Sequence, residues 1–189
     1  MRIFGIDPGS VRTGYGCVDT DGSRHRLVTC GAIAPPPRAS FPEKLQAVHT
    51  GLRRLLRSTA PDCVVVENLF HARNVRSALV LGHARGVAIL AAVQSRVPVM
   101  EYTPAEIKLA IVGYGRAEKP QLQHMVALLL GLDAAPSPHD AADALAVALC
   151  HAHSATGPAA AAAAGRQQPR RLRSWRHVRL DDLPRRPLP

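Results

Sequence analysis

Hydrophobic and polar positions alternate over residues 2–6 and stop at Asp7-Pro8-Gly9, a turn sequence, which predicts a strand ending in a carboxylate. Residues 13–18 and 27–33 predict two more strands, with Asp21-Gly22 between them as a hairpin turn. Short links between three consecutive strands predict an antiparallel meander. Over residues 40–58 the period changes. Leu45, Val48, Leu52 and Leu55 or Leu56 return at helical spacing, with arginines between them. Residues 62–67 enclose Cys63-Val64-Val65-Val66, an unbroken apolar run suited to a strand buried on both faces of a parallel sheet. Residues 74–93 read as a long helix rich in Ala and Gly, and residues 97–101 as a short strand. Helices follow near 104–111, 119–131 and 138–152. The pattern predicts a mixed α/β domain.

Composition divides this chain into a body and a tail. Apolar residues make up 47% of it, enough for a real core. The unbroken apolar run near residue 90 spans only residues 87–93, far short of a bilayer. Asp7 falls where a secretion signal would be apolar, so the expected compartment is the cytoplasm. Cys17, Cys30, Cys63 and Cys150 are scattered, which predicts reduced thiols rather than a disulfide or zinc site. After His153 the sequence turns to Ala, then to Arg and Pro. The expected organisation is one folded domain over residues 1–153 and a disordered basic tail over residues 154–189. Net charge is +10, a value common among nucleic-acid-binding proteins. From Gly165 onward eight arginines and two aspartates carry +6 of it, leaving +4 to residues 1–164.

Four carboxylates carry the candidate chemistry. Asp7 and Glu67 each lie at the carboxyl end of a predicted strand, where ligand sites of open α/β sheets gather. Taken singly, Asp7 also reads as a turn residue and Glu67 as a strand-end charge. Asp140 and Asp143 sit three apart on one helix face. Ser137 as N-cap, Pro138 as first helical residue and Asp140 as capping-box acid form a competing reading for Asp140. That reading does not cover Asp143, which lies a turn deeper among Ala141, Ala142, Ala144 and Ala146. An aspartate on such a face is expected to be part-buried and in need of a partner. Converging carboxylates repel one another unless a hard divalent cation lies between them, and magnesium is the natural choice. Two such ions, which manganese can replace, activate a water and stabilise the leaving oxygen of a phosphodiester. The chain has no P-loop, no HExxH and no dinucleotide fingerprint.

Ile6-Asp7-Pro8-Gly9, the block Val66-Glu67-Asn68-Leu69-Phe70, Leu81-Gly82-His83-Ala84-Arg85-Gly86, Gly115-Arg116-Ala117-Glu118-Lys119, Gln123-His124-Met125-Val126 and Asp140-Ala141-Ala142-Asp143-Ala144-Leu145-Ala146 together resemble the RuvC family. The resemblance runs from Met1 to about His153, in order and at family spacing. It implies an RNase H-like α/β fold with a mixed five-stranded sheet flanked by helices. It also implies a magnesium-dependent homodimeric endonuclease that resolves four-way (Holliday) DNA junctions beside the RuvA and RuvB branch-migration proteins. By motif position, Asp7, Glu67, Asp140 and Asp143 are the implied metal ligands, with Lys108 and Lys119 as basic residues near the scissile phosphate. The chain has only three lysines among its 24 basic residues, so lysine at both of those places is itself notable. Phe70 is the implied stacking aromatic, and Arg73, Asn74 and Arg76 the implied DNA-facing side chains. His83, where many relatives carry glutamine, and the basic tail depart from the pattern. A ribonuclease of the YqgF type and a non-catalytic junction binder are the alternatives. The first fits the residue 70–93 region poorly, and the second gives no reason to keep four negative charges.

Overall fold

The structure, a computed structural model, describes residues 1–9, 11–68 and 75–156. Its elements are β1 (Arg2–Asp7), β2 (Thr13–Thr20), β3 (His25–Ile33), α1 (Phe41–Thr59), β4 (Cys63–Glu67), α2 (Val75–Gln94), β5 (Val99–Tyr102), α3 (Pro104–Val112), α4 (Lys119–Leu129) and α5 (His139–Thr156). The strands form one mixed sheet in the order β3-β2-β1-β4-β5. β1, β2 and β3 make the antiparallel meander, and β1, β4 and β5 run parallel.

Side-chain alternation along the central strands builds two cores. Phe4 and Ile6 of β1 and Val64 and Val66 of β4 face Val48, Leu52 and Leu56 of α1 and Ala88, Ala91 and Ala92 of α2. Ile3, Cys63 and Val65 face the other way, toward α3, α4 and α5. The unbroken apolar run in β4 therefore serves both faces, as expected for a central parallel strand. Helix α1 begins where the apolar period begins. Its Glu43 carboxylate accepts the Ser40 backbone N–H at 2.7 Å, and Ala60 closes it in the left-handed region with φ 44°.

Two boundaries differ from the sequence reading. The β2–β3 link is a four-residue loop, since Thr20 pairs with His25. Asp21 accepts the backbone N–H groups of Ser23 and Arg24 at 2.9 and 2.8 Å, which lets both strands run longer than their apolar pattern. Helix α5 continues past His153 to Thr156, with the Ser154 hydroxyl donating to the Cys150 carbonyl at 2.8 Å. The first three residues assigned to the tail thus belong to the body. All four cysteines are free thiols, and Cys17, Cys63 and Cys150 are buried. One described helix, α2, is long and apolar enough by length and composition to cross a bilayer, although its unbroken apolar run, residues 87–93, is far shorter than a bilayer. Ala84, Ala88, Ala91 and Ala92 dock it on the sheet, while Val75, Leu79, Leu90 and Val93 are exposed.

Candidate active site

Parallel pairing of β1 and β4 in the register Ile6↔Val66 brings Asp7 and Glu67 to the same sheet end. Both lie on the odd-numbered positions of their strands, the face that α5 covers. Helix α5 comes unusually close because glycine replaces side chains beneath it. A Cβ at Gly5 would lie 2.0 Å from the Ala144 carbonyl oxygen, and one at Gly14 would lie 2.0 Å from that of Asp140. Gly14 is the cross-strand partner of Asp7. Backbone-on-backbone packing lowers the first turns of α5 onto the sheet and delivers Asp143 to the strand carboxylates.

The electrostatics follow from that crowding. Burial raises Asp7 to about 8, and the charges of Glu67, Asp143 and Asp140 push the same way, opposed by Lys119. Glu67 is also raised by burial, although a hydrogen bond from Asp7 pulls it down. Asp7 and Glu67 are thus both held above the ordinary carboxylate range, with Asp7 raised the further of the two and a shared hydrogen bond between them. Lys119 Nζ donates to Asp143 Oδ2 at 2.9 Å. The Asp143 side chain is only 14% exposed, and its Oδ1 is buried with no hydrogen-bond partner. Asp140 is more open and faces Arg12 at 3.7 Å. Lys108 exerts its charge on Glu67. Arg76 is exposed on the first turn of α2. Phe70, Arg73 and Asn74 lie outside the described residues.

The capping-box reading of Asp140 is not realised. The first helical residue is His139, so Pro138 stands at the cap and has no N–H for an acid to accept. Ser137 lies one residue too early to cap.

These side chains fit a hard divalent cation. They offer carboxylate oxygens alone, one of them orphaned in a buried position, and the cluster tolerates its own charge only by holding a proton and the Lys119 ammonium. Among the described residues no three carboxylate or imidazole groups already close around one point.

Three supporting contacts escaped the sequence reading. Arg12 reaches Asp140; Gln123, buried on α4, meets His139 Nδ1 at 3.2 Å; and Arg85 of α2 pairs with Glu101 of β5. No local pattern marks any of them, because each joins distant segments. The glycines under α5 did carry a signal, since glycine inside a strand marks a close backbone approach.

A family model described as crossover junction endodeoxyribonuclease RuvC matches residues 3–151. The crossover junction endodeoxyribonuclease RuvC of Chloroflexus aggregans is 50% identical over 155 residues, covering 82% of this chain and 94% of that protein. Its counterpart from Syntrophotalea carbinolica is 52% identical over 153 residues, covering 81% and 94%. Among solved structures, Thermus thermophilus RuvC in complex with a Holliday junction substrate is similar at a TM-score of 0.79 and 36% identity, covering 82% of this chain and 95% of that one.

Proposed function

The chain belongs to the RuvC family of crossover junction endodeoxyribonucleases, and from that premise we propose that it resolves four-way DNA junctions by magnesium-dependent phosphodiester hydrolysis on two opposed strands. Asp7, Glu67, Asp140 and Asp143 would hold the cations. The observation that carries the reading is the Asp143 carboxylate, with one oxygen on Lys119 and the other buried and unpartnered. A buried acceptor left without a donor costs roughly 1–3 kcal/mol, which a bound cation would recover.

Magnesium, when bound, supplies an activated water and charge stabilisation at the leaving oxygen. The chain's own residues prepare for that. With cations bound, Asp7 would release its proton to solvent, and all four carboxylates would be free to act as oxygen ligands. Lys119, whose side chain is 74% exposed, leaves Asp143 and turns to the phosphate. Lys108 reinforces the positive field from the α3 side. Arg12 orients Asp140. Phe70 stacks on an unpaired base, and Arg73, Asn74 and Arg76 hold backbone phosphates.

The working unit is a homodimer, since paired cuts on opposed strands need two sites related by a twofold axis. The open stripe of α2 supports this reading. The protein acts in the cytoplasm beside RuvA and RuvB, as the family resemblance implies.

Cleavage of a four-way junction, measured beside a linear duplex and an RNA–DNA hybrid, tests the proposal. The Asp143→Asn, Glu67→Gln and Asp7→Asn variants should each lose cutting by at least about a thousandfold while binding junctions. Asp140→Asn should lose less if Arg12 pairing is its main role. Cutting by Asp143→Asn at the unsubstituted rate, or equal cutting of the hybrid, would remove the assignment.

A further inference from the structure

At the end of the sheet opposite the carboxylates, His25 opens β3 and His153 lies in the last turn of α5. Their Nε2 atoms are 3.2 Å apart, with ring centroids at 5.1 Å and planes inclined by 52°. We propose that His25 and His153 form a two-imidazole site for a divalent transition ion of the zinc class.

The separation of the two nitrogens suits a shared ion. An ion held tetrahedrally at about 2.0–2.1 Å from each nitrogen separates the nitrogens by about 3.3–3.4 Å and the ring centroids by about 5.2 Å. A head-on N–H···N hydrogen bond of the same length would set the centroids about 5.5 Å apart. The observed separations match those of an ion-bridged pair, and in the metal-free chain the same two nitrogens share one N–H···N hydrogen bond that the ion would replace.

Both rings are already oriented from behind. His153 Nδ1 donates to the Ala110 carbonyl at 3.0 Å. A carbonyl only accepts, so the proton is on Nδ1 and His153 Nε2 presents a lone pair. His25 Nδ1 lies 2.9 Å from Thr20 Oγ1, which also accepts the Gly22 N–H at 3.0 Å. In the metal-free chain His25 Nε2–H donates to His153 Nε2; moving that proton to Nδ1, where Thr20 Oγ1 can accept it, would turn a second lone pair to the same point. Imidazoles fixed by an acceptor on the far nitrogen are the usual arrangement behind metal-bound histidines.

The surroundings favour a cation. Ala110 and His153 lie in the last turns of α3 and α5, so two helix carboxyl ends point their negative poles here. The Asp21 carboxylate acts on His25 from the hairpin loop. Burial and the neighbouring ring both hold His25 below its ordinary value, which keeps it in the neutral form that binds metal. Among the described residues no third His, Cys, Asp or Glu joins the pair, so water completes the shell. The ion would tie the β2–β3 hairpin to the ends of α3 and α5, immediately before the basic tail begins.

The full-length chain, kept in excess Mg2+, is titrated with Cu2+ and followed by electron paramagnetic resonance. Coupling to two imidazole nitrogens is expected, and it should be lost in both His25→Gln and His153→Gln. Zn2+ at about a hundredfold over its dissociation constant should raise the Tm of the unsubstituted chain by about 5–10 °C and that of neither variant. A two-nitrogen signal that survives in both variants would assign the ion to other histidines and overturn the proposal. So would a Tm indifferent to Zn2+, which would leave a hydrogen-bonded pair only. If a variant fails to fold, selective loss of the His25 and His153 ring resonances on adding Cu2+ to the unsubstituted chain decides it, and their persistence refutes it.

Discussion

Asp7 is the residue at which the site's cost is most visible. Burial and three neighbouring carboxylates hold its proton on up to about pH 8, against an ordinary value of 3.8. The unfolded chain releases that proton near pH 4, so the folded state binds the extra proton between pH 4 and 8. Metal-free protein should therefore lose stability as pH rises through that window, by on the order of a few kcal/mol. In Asp7→Asn that part of the slope should vanish, and the metal-free variant should melt above the unsubstituted chain at pH 8. Thermal melts in chelator across the range measure it. A variant that follows the same slope would mean that Asp7 is not where the proton sits. Glu67 and Asp143 share the strain through their contacts with Asp7 and Lys119, so a single deletion should relax the whole cluster.

At the scale of elements, the site depends on how close α5 can come. The helix is small and apolar along its buried side, with Ala141, Ala144 and Ala148 fully buried. The strands answer with glycine. In Gly5→Ala the new Cβ would meet the Ala144 carbonyl oxygen and Ala148 nitrogen, both backbone atoms that cannot step aside. The helix must lift, at roughly 1–3 kcal/mol. The variant should melt about 2–10 °C lower and cut junctions poorly, because Asp143 rises with the helix. An unchanged Tm with full cutting would show that α5 is free to slide. Helix α2 presents the complementary case. Ala84, Ala88, Ala91 and Ala92 face its own domain, whereas a Cβ added at Gly82 or Gly86 would meet nothing within 4 Å among the described residues. Its exposed Val75, Leu79, Leu90 and Val93 leave an apolar stripe of the kind that marks an interface.

For the whole molecule, that stripe and the charge distribution carry the predictions. Gly82→Arg should give monomers with native-like circular dichroism that nick junctions singly or not at all. A Gly82→Arg protein that sediments as a dimer and still makes paired cuts would place the twofold contact elsewhere. Removing the residues after Thr156 takes away the +6 of net charge contributed from Gly165 onward. The shortened chain should fold and cut, but bind DNA more weakly and with a shallower dependence on salt, since fewer phosphates are neutralised. Selectivity for the junction over linear duplex should stay the same, because a charge contact reads no structure or sequence. An equal salt slope for both lengths would show that the tail stays off the DNA.

Local sequence determined the elements and the identity of the acids. Alternation and helical spacing along one segment depend only on which faces are apolar. The meander, the doubly buried β4 and the extent of α1 were therefore legible, to within a few residues. Asp7, Glu67 and Asp143 stood out because a charge at a strand end or on an alanine-rich helix face breaks an apolar pattern. Tertiary structure decided what such patterns cannot hold. The adjacency of β1 and β4 became a fact only through sheet order, and with it the meeting of Asp7 and Glu67. Whether Asp140 capped its helix or faced Arg12 depended on where the helix began and which loop lay across from it. The division of α2 between a docked and an open stripe, and the convergence of His25 with His153 across 128 residues, required the packed chain. The physical reason is common to all four. Each joins groups whose separation is set by long-range packing, and the energy of a contact is carried by distance in space rather than by separation along the chain.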